Sequence, residues 1–342
     1  MSSAIFISGI SLIAIFAYSL SSDKTQFANQ MHLSIHSQPP GFSCKVLIIP
    51  GVKSEGNRSF FFGDRNISEE IPIKEIHWHN KGLSFKRHGN ATNYFEEKLF
   101  NQFPQGTTRK EVELKYLKEK YFTLGTDKYG RDLLSRLIIG SRISISIGFI
   151  AVIISLLIGV FLGSLAGFFG GRIDQLIMWI INVVWSIPTL LMVIAITLAL
   201  GRGFWQVFVA VGLTMWVEVA RLVRGLVKST KEELFVQAAI TLGFSKLRLL
   251  LNHILPMLVA PLIVISTANF ASAILMESGL SFLGIGAQPP MPSWGGMVKD
   301  HFRYLLLGKP YLAILPGFAI MSLVLAFMML GNSIRDALDV RG

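Results

Sequence analysis

The sequence predicts an all-α polytopic membrane protein with six transmembrane helices and a small mixed α/β insert between the first helix and the second. Of its 342 residues, 51% are hydrophobic and only 15% are charged, which is unlike an average soluble protein. Several apolar segments reach the ~20 residues that a helix needs to cross a bilayer core. We therefore expect residues 1–22 to hold the first helix, 23–135 the insert and 136–342 the membrane core.

The first helix is predicted over residues 4–20, an uncharged run at the short end for a membrane span. A cleaved signal peptide is the competing interpretation, but the run lacks a basic segment before it. The stretch from Asp23 to Asp132 is rich in charged residues and has no apolar run long enough to span. At about 110 residues it can bury a small core, so a compact domain outside the membrane is expected.

Charge and cysteine content narrow the function classes. The net charge is +11, but many basic residues lie at the ends of apolar spans, as the positive-inside rule requires. We therefore expect membrane lipid and no nucleic acid as a partner. Cys44 is the only cysteine, which excludes an intrachain disulfide and a cysteine-based metal site. No metal ion or cofactor is expected on this chain.

The membrane core is predicted to hold five further spans. The first of these carries glycines at 159, 163 and 167, and small residues at this spacing let two helices pack closely in lipid. Pro188 removes a backbone hydrogen bond in the middle of the next span, so a kink that shapes a translocation path is expected there. The five spans cover about 143–168, 176–200, 205–223, 257–276 and 311–331.

Glu218 is an acid at the edge of the fourth apolar span of the chain. A carboxylate there is costly unless it is paired or hydrated. Arg221 and Arg224 follow at helical spacing, so an ion pair with them is favoured over a contact with the transported solute.

Residues 229–256 lie between two spans and are predicted to form a short helix, a glycine stop and a second basic helix. Ser229 and Thr230 are each followed three residues later by a glutamate, Glu232 and Glu233, which is a capping-box pattern. Gly243 stands where a helix-ending glycine is expected, and Pro256 opens the next span. One apolar stripe is expected on the short helix, made of Leu234, Phe235, Ala238, Ala239 and Leu242.

A glycine-rich helix break and a proline-rich loop follow the fifth span. The break contains Glu277, Gly279 and Ser281, and the loop ends near Trp294. Irregular backbone near a membrane is tolerated where it is buried in protein or lines a water-filled cavity. These four residues are therefore candidates, with Pro188 and Glu218, for the translocation path or its gate.

Several of these motifs resemble one family. Gln237-Ala238-Ala239, Gly243 and Pro256 resemble the "EAA" loop of permease subunits in ATP-binding-cassette (ABC) importers, with Gln237 in place of the family's glutamate. GTDKYGRDLLSR (residues 125–136), ESGLSFLGIG (277–286) and QPPMPSWG (288–295) are similar to the C-type permease of dipeptide, oligopeptide and nickel importers. The resemblance covers about residues 124–340.

The resemblance implies a type I ABC importer permease fold and a set of partners. These are a homologous permease subunit, two ABC ATPase subunits and an extracytoplasmic solute-binding protein. It implies that the ATPases are coupled through Glu233, Gln237, Ala238, Ala239, Gly243 and Pro256. ATP would be used by the partners, because the only Gly-Lys pair of this chain, Gly308-Lys309, is followed by proline and does not fit a phosphate-binding loop. The chain is thus expected to be a transporter subunit and not an enzyme.

The expected location is the bacterial inner membrane, with both termini cytoplasmic and residues 23–135 extracytoplasmic. The assigned cytoplasmic segments carry nine Lys or Arg residues against four in the short outer loops. Peptides are the expected cargo, and nickel or another small solute is the alternative. An ion-coupled secondary transporter, which would need inverted repeats with paired broken helices, and a membrane-anchored enzyme within residues 23–132 are the other hypotheses.

Overall fold

The computed structural model describes residues 2–50, 61–64, 68–79, 82–89, 95–99, 103, 109–201 and 203–338. These residues form two compact units. The sheet unit comprises Ser11–Arg142 and Pro289–Pro316, and the helical unit is built around Ile143–Gln288 with parts of both chain ends. The sheet unit therefore extends past the predicted insert boundary at residue 135, and it includes a segment that the sequence analysis assigned to the membrane core.

The sheet unit contains one five-stranded antiparallel sheet in the order β4-β3-β2-β1-β5. Its strands are β1 (Phe42–Ile49), β2 (Glu69–His79), β3 (Gly82–Arg87), β4 (Glu96–Leu99) and β5 (Leu117–Phe122). Side chains alternate between the two faces of a strand. Accordingly, Leu47 and Ile49 of β1 join one buried cluster, whereas Cys44 and Val46 join another. Both faces of the sheet are thus covered.

Short helices complete the sheet unit around these strands. Two 3₁₀ turns precede the sheet, at Gln26–Ala28 and Leu33–Ile35. The helix α3 (Arg109–Glu111) and the π-helical turn Val112–Tyr116 precede β5.

Buried charges organise the segment that leads from the sheet to the first long helix. The carboxylate of Asp127 accepts hydrogen bonds from the backbone N–H of Tyr129 (2.8 Å) and from Nε of Arg131 (2.6 Å). Arg136 lies 3.8 Å from the same carboxylate and donates to the carbonyl of Phe27. A buried charge is tolerated only when its partners are present. The GTDKYGRDLLSR motif therefore forms a paired polar core inside the sheet unit.

Asp132 directly precedes the long helix α4 (Leu133–Phe169). Its Oδ2 accepts a hydrogen bond from the backbone N–H of Ser135 (3.1 Å), which satisfies one of the free donors of the first turn. The helix begins at Leu133, the next residue.

Within the described residues, four helices are long and apolar enough to cross a membrane: α4 (Leu133–Phe169), α7 (Phe204–Lys231), α11 (Val259–Leu283) and α13 (Tyr311–Leu338). The bent pair of α5 (Gly171–Trp185) and α6 (Thr189–Leu200) makes a fifth span if the two helices are counted as one. The helices that follow α3 are α4 (Leu133–Phe169), α5 (Gly171–Trp185), α6 (Thr189–Leu200), α7 (Phe204–Lys231), α8 (Leu234–Thr241), α9 (Lys246–Leu249), α10 (Leu255–Met257), α11 (Val259–Leu283), α12 (Trp294–His301) and α13 (Tyr311–Leu338).

The predicted first span is not one helix. The chain forms α1 (Ser2–Ile15), breaks at Phe16, and resumes as the four-residue α2 (Ala17–Leu20). Phe16 has φ −90° and ψ 18°, which lies outside helical geometry. At 1.5 Å per residue, the 14 residues of α1 reach about 21 Å, which is less than a bilayer core of about 30 Å.

Glycines on α4 let α7 approach closely. A Cβ at Gly159 would lie 2.5 Å from Cβ of Val219, and one at Gly163 would lie 2.5 Å from the carbonyl oxygen of Ala220. Neither position leaves room for a methyl group. The sequence-based prediction that these small residues allow close helix packing is confirmed.

The close contact of α4 with α7 at Gly159 and Gly163, here called the glycine seam, can be tested with Gly163→Ala. The added methyl group overpacks the α4–α7 contact, which typically costs about 1–3 kcal/mol, and we expect the thermal midpoint of the detergent-purified protein to fall by several degrees. Gly225→Ala is the matched control, because no atom lies within 4 Å of a Cβ at this helical position. It should be neutral or slightly stabilising, since alanine favours helix. Equal midpoints for the two variants would contradict the packing argument.

Candidate functional site

The short helix α8 (Leu234–Thr241) stops at Gly243, as predicted. Gly243 has φ +80°, a left-handed conformation that favours glycine. Its N–H donates to the carbonyl of Ile240 (3.0 Å), and the N–H of Phe244 donates to the carbonyl of Ala239 (3.2 Å). These two bonds form a Schellman motif, which fixes the direction in which the chain leaves the helix.

The start of α8 differs from the prediction. Ser229 and Thr230 do not cap it, because α7 continues to Lys231 and includes both residues. The hydroxyl of Ser229 donates to the carbonyl of Leu226 (3.0 Å) inside α7. Glu233 occupies the N-cap position of α8 in an extended conformation, without a capping bond from its side chain. The capping-box prediction is therefore wrong.

The two sides of α8 differ in burial. Val236 and Ala239 are buried in a cluster with residues of α4, α7 and α9. Leu234 and Leu242 are 87% and 75% exposed. Of the predicted apolar stripe, only Ala239 is buried in this chain, and the other four side chains are solvent-exposed.

Gln237 attaches α8 to the helix before it. Its amide Nε2 donates to the backbone carbonyl of Lys231 (2.8 Å) at the end of α7. Lys231 in turn donates through Nζ to the carbonyl of Phe168 (2.9 Å) near the end of α4. A glutamate at position 237 carries no amide hydrogen and, when ionised, could not donate this bond.

Pro256 lies in a helical run that leads from α9 into α11. A π-helical turn, Leu250–Ile254, precedes it, and α10 (Leu255–Met257) contains it. Proline lacks the N–H that a regular helix would use at this point. The span then continues as α11 from Val259.

Pro188 marks a bend that is much sharper than the predicted kink. The helices α5 and α6 meet at 90°, and Pro188 is the residue before α6 begins at Thr189. A residue before proline is disfavoured in the α conformation, so α5 ends before Ile187. The N–H of Ser186 still finds the carbonyl of Asn182 (3.0 Å), which keeps the break satisfied.

Glu218 lies on α7 and faces a cleft beside this bend. The cleft has a volume of about 70 Å³. Its neighbours on α7, Val217 and Val219, are buried, whereas Glu218 is exposed to the cleft. Besides Glu218, the side chains that line the cleft include Trp185, Thr189, Met192, Ser272 and Met276.

The predicted ion pair between Glu218 and the two following arginines is absent from the part of the chain that the structure describes. Arg224 instead forms a two-point ion pair with Asp174, in which Nη2 lies 2.6 Å from Oδ2. Arg221 lies 3.5 Å from the centre of the Trp185 ring and donates to Asn182 (3.2 Å). Both arginines are therefore engaged with α5.

Glu277 and Ser281 lie together at the C-terminal end of α11, and both are buried. The hydroxyl of Ser281 donates to Oε1 of Glu277 (2.6 Å) and accepts a bond from the N–H of Ala287 (3.2 Å). Gly284 has φ +84° and ends the helix. The glycine-rich break is thus a hydrogen-bonded stop, while Gly279 lies inside α11 with no atom near a Cβ placed on it.

Trp294 belongs to the sheet unit and not to the helical unit that contains the cleft. It is buried, and its Nε1 donates to the carbonyl of Leu137 (2.9 Å). Its ring lies against Gly140, where a Cβ would be only 2.9 Å from it. These contacts attach the start of α12 to the first turns of α4.

More than half of the chain matches one protein family. Residues 159–341 match the family "Binding-protein-dependent transport system inner membrane component". The chain belongs to this family. The dipeptide transport system permease protein DppC of Alkalihalophilus pseudofirmus is 42% identical over 215 residues, which are 63% of this chain and 70% of that protein.

Two further relatives cover more of the chain. The glutathione transport system permease protein GsiD of Pectobacterium atrosepticum is 37% identical over 250 residues, 73% of this chain and 78% of its own length. The oligopeptide transport system permease protein OppC of Bacillus subtilis is 38% identical over 242 residues, 70% of this chain and 78% of its own length. The chain is therefore a helical, membrane-type ABC permease, which is a transporter component.

The part of this permease that matches the family contains both α8 and the Glu218 cleft. Sequence reasoning missed Asp174 and Trp185, which contact Arg224 and Arg221, because both lie on α5, 50 and 36 residues before those arginines. It also missed Lys231 of α7. The backbone carbonyl of Lys231 accepts a hydrogen bond from Gln237 of α8, and its Nζ donates to the carbonyl of Phe168 of α4. The basic residue at the end of an apolar span was the only available signal, and such residues are ordinary in membrane proteins.

Gln237→Glu should loosen the attachment of α8 in this permease. The substitution removes the donor to the Lys231 carbonyl, and a hydrogen bond of this kind contributes about 0.5–1.5 kcal/mol. We expect amide hydrogen exchange across residues 234–242 to become roughly three- to tenfold faster, as measured by mass spectrometry. Gln175→Glu, at an exposed position of α5, makes the same charge change and should leave this exchange unaltered. Unchanged exchange in Gln237→Glu would contradict the proposed attachment.

Proposed function

We propose that this chain is the permease subunit of an ATP-driven, binding-protein-dependent importer for peptides. The observation that carries the proposal is α8, a helix anchored on one side by Val236 and Ala239, with large apolar side chains exposed on the other. Exposed apolar surface of this kind is typical of a site for another protein. The relatives named as dipeptide, glutathione and oligopeptide permeases support peptides as the cargo.

The proposed partners follow from the family. Two ABC ATPase subunits would use ATP and receive α8, a homologous permease subunit would complete the path, and an extracytoplasmic binding protein would deliver the cargo. Glu233, Gln237, Ala238, Ala239, Gly243 and Pro256 would form or support the ATPase-coupling surface. The exposed position of Glu233, Gln237 and Ala238 supports this assignment.

The proposed topology is six spans with both termini in the cytoplasm. It requires α1 and α2 together to make the first span and the bent pair α5 and α6 to make the third. The bias of Lys and Arg toward the assigned cytoplasmic segments supports this orientation. The predicted insert, residues 23–135, would then be extracytoplasmic and available to the binding protein or to the second permease.

The translocation path is proposed to run past Pro188 and Glu218. A sharp bend between two apolar helices and a carboxylate that faces a cleft support these two residues. Glu277, Gly279 and Ser281 are proposed as part of the gate, because they lie where α11 ends. Trp294 is also proposed as a gate candidate, and its bond to the Leu137 carbonyl supports a fixed position for its ring.

Leu234→Glu tests the coupling surface. The substitution puts a charge on the exposed apolar side of α8, and we expect at least a tenfold drop in the ATPase that co-purifies with the tagged permease from its host in mild detergent. Leu306→Glu is the matched control: Leu306 is 93% exposed and belongs to the sheet unit. It should retain the ATPase.

Mass spectrometry of the co-purified proteins gives the decisive readout. Recovery of ATP-binding-cassette ATPases and of a second permease with the unmodified protein is the expected result. An unmodified protein that brings down no ATPase would refute the proposed function. Equal ATPase recovery with Leu234→Glu and Leu306→Glu would refute the assignment of α8.

A further inference from the structure

Glu218 is a carboxylate whose nearest sequence candidates for neutralisation are held elsewhere. Arg224 is paired with Asp174, and Arg221 lies over the ring of Trp185. Among the described residues, no lysine, arginine or histidine forms an ion pair with Glu218. An acid within a membrane helix is costly unless it is paired or hydrated, and it marks a functional site by default. The Glu218 carboxylate is therefore exposed in the cleft without a cationic partner among the described residues, and a cation that enters the cleft could pair with it.

The cleft around Glu218 supplies no second charge. Its polar side chains, Thr189, Thr214 and Ser272, are neutral, and the hydroxyl of Thr214 already donates to the carbonyl of Val211 (2.8 Å). Met192 and Met276 contribute flexible, polarisable walls, which adapt to groups of different shape. A charge-assisted hydrogen bond is the strongest single interaction that such a cleft can offer. It would be offered to a cation.

The volume of the cleft limits what it can hold. At about 70 Å³ it has room for a few water-sized groups, whereas a site for a whole small molecule needs some 300–1,000 Å³. The cleft therefore fits one end of a solute, not the whole solute. An ammonium group meets both requirements, because it is compact and carries three donors.

We propose that Glu218 binds the ammonium group of the cargo as it passes α7, which for a peptide is its free amino terminus. This assignment rests on the proposed import function and adds the chemical group that the membrane path recognises. The carboxylate accepts hydrogen bonds from the ammonium group, and the methionines and Trp185 contact the adjoining part of the solute. A solute without a cation would leave Glu218 unneutralised and would bind more weakly.

Equilibrium binding to the purified permease–ATPase complex, without the binding protein, tests this directly. The probes are radiolabelled tri-alanine and N-acetyl-tri-alanine, which differ in the charge at the amino terminus. We expect the unmodified complex to bind tri-alanine at least tenfold more tightly than the acetylated peptide. In Glu218→Gln the two affinities should become equal, and in Glu218→Asp the preference should largely return. Glu113→Gln, an exposed acid of the sheet unit, should behave as the unmodified complex does.

Two results would overturn the inference. One is equal binding of both peptides, or no binding of either, by the unmodified complex. The other is a preference for tri-alanine that Glu218→Gln leaves intact. ATP-dependent uptake of tri-alanine by the complete importer in proteoliposomes separates this inference from the proposed function. Uptake by the unmodified importer that persists when the binding preference is absent refutes only the role of Glu218, whereas absence of any ATP-dependent uptake refutes the import function.

Discussion

Backbone amides and carbonyls cannot remain unpaired in lipid, and this constraint governs how the membrane helices of this permease begin and end. The break before Pro188 keeps the bond from Ser186 to Asn182. Gly284 ends the membrane helix α11 with bonds from the N–H groups at the stop to carbonyls of the last turn, and Gly243 ends α8, which lies between two spans, in the same way. Because every one of these stops is satisfied within a few residues, its geometry is fixed locally, and the chain can present irregular segments at defined angles.

The helix α7 connects the two parts of the candidate site. It carries Glu218 near its middle and ends at Lys231, where it meets α8 through Gln237. Thirteen residues of helix separate Glu218 from Lys231, a distance of about 20 Å. The glycine seam holds α7 against α4, and Lys231 binds the end of α4 as well. A displacement of α8 would therefore act on α4 and α7 together, and α7 carries Glu218 of the cleft.

Local features of the site could be predicted from the sequence, and features that depend on a second helix could not. The stop at Gly243 and the close packing at Gly163 follow from single residues with one dominant physical role. The capping box failed because a serine hydroxyl can also bond to a carbonyl of its own helix, which is what Ser229 does. The predicted ion pair of Glu218 is absent from the described residues because spacing along α7 identifies only possible partners. Arg224 pairs instead with Asp174 on α5.

The motifs that resemble the permease family lie in different units of the structure. GTDKYGRDLLSR and the segment after the QPPMPSWG motif both belong to the sheet unit, where Nζ of Lys128 pairs with Asp300 (3.0 Å) and Lys309 donates to the carbonyl of Ser37 (2.6 Å). The strands of this unit lie outside residues 159–341, the part matched by the family, whereas Asp300 and Lys309 lie inside it. Polar contacts therefore join segments that flank the sheet to a segment that lies in the part matched by the family. The sheet unit depends on the buried pair of Asp127 and Arg131 as well as on its apolar core, because losing one member would leave the other charge buried without a partner.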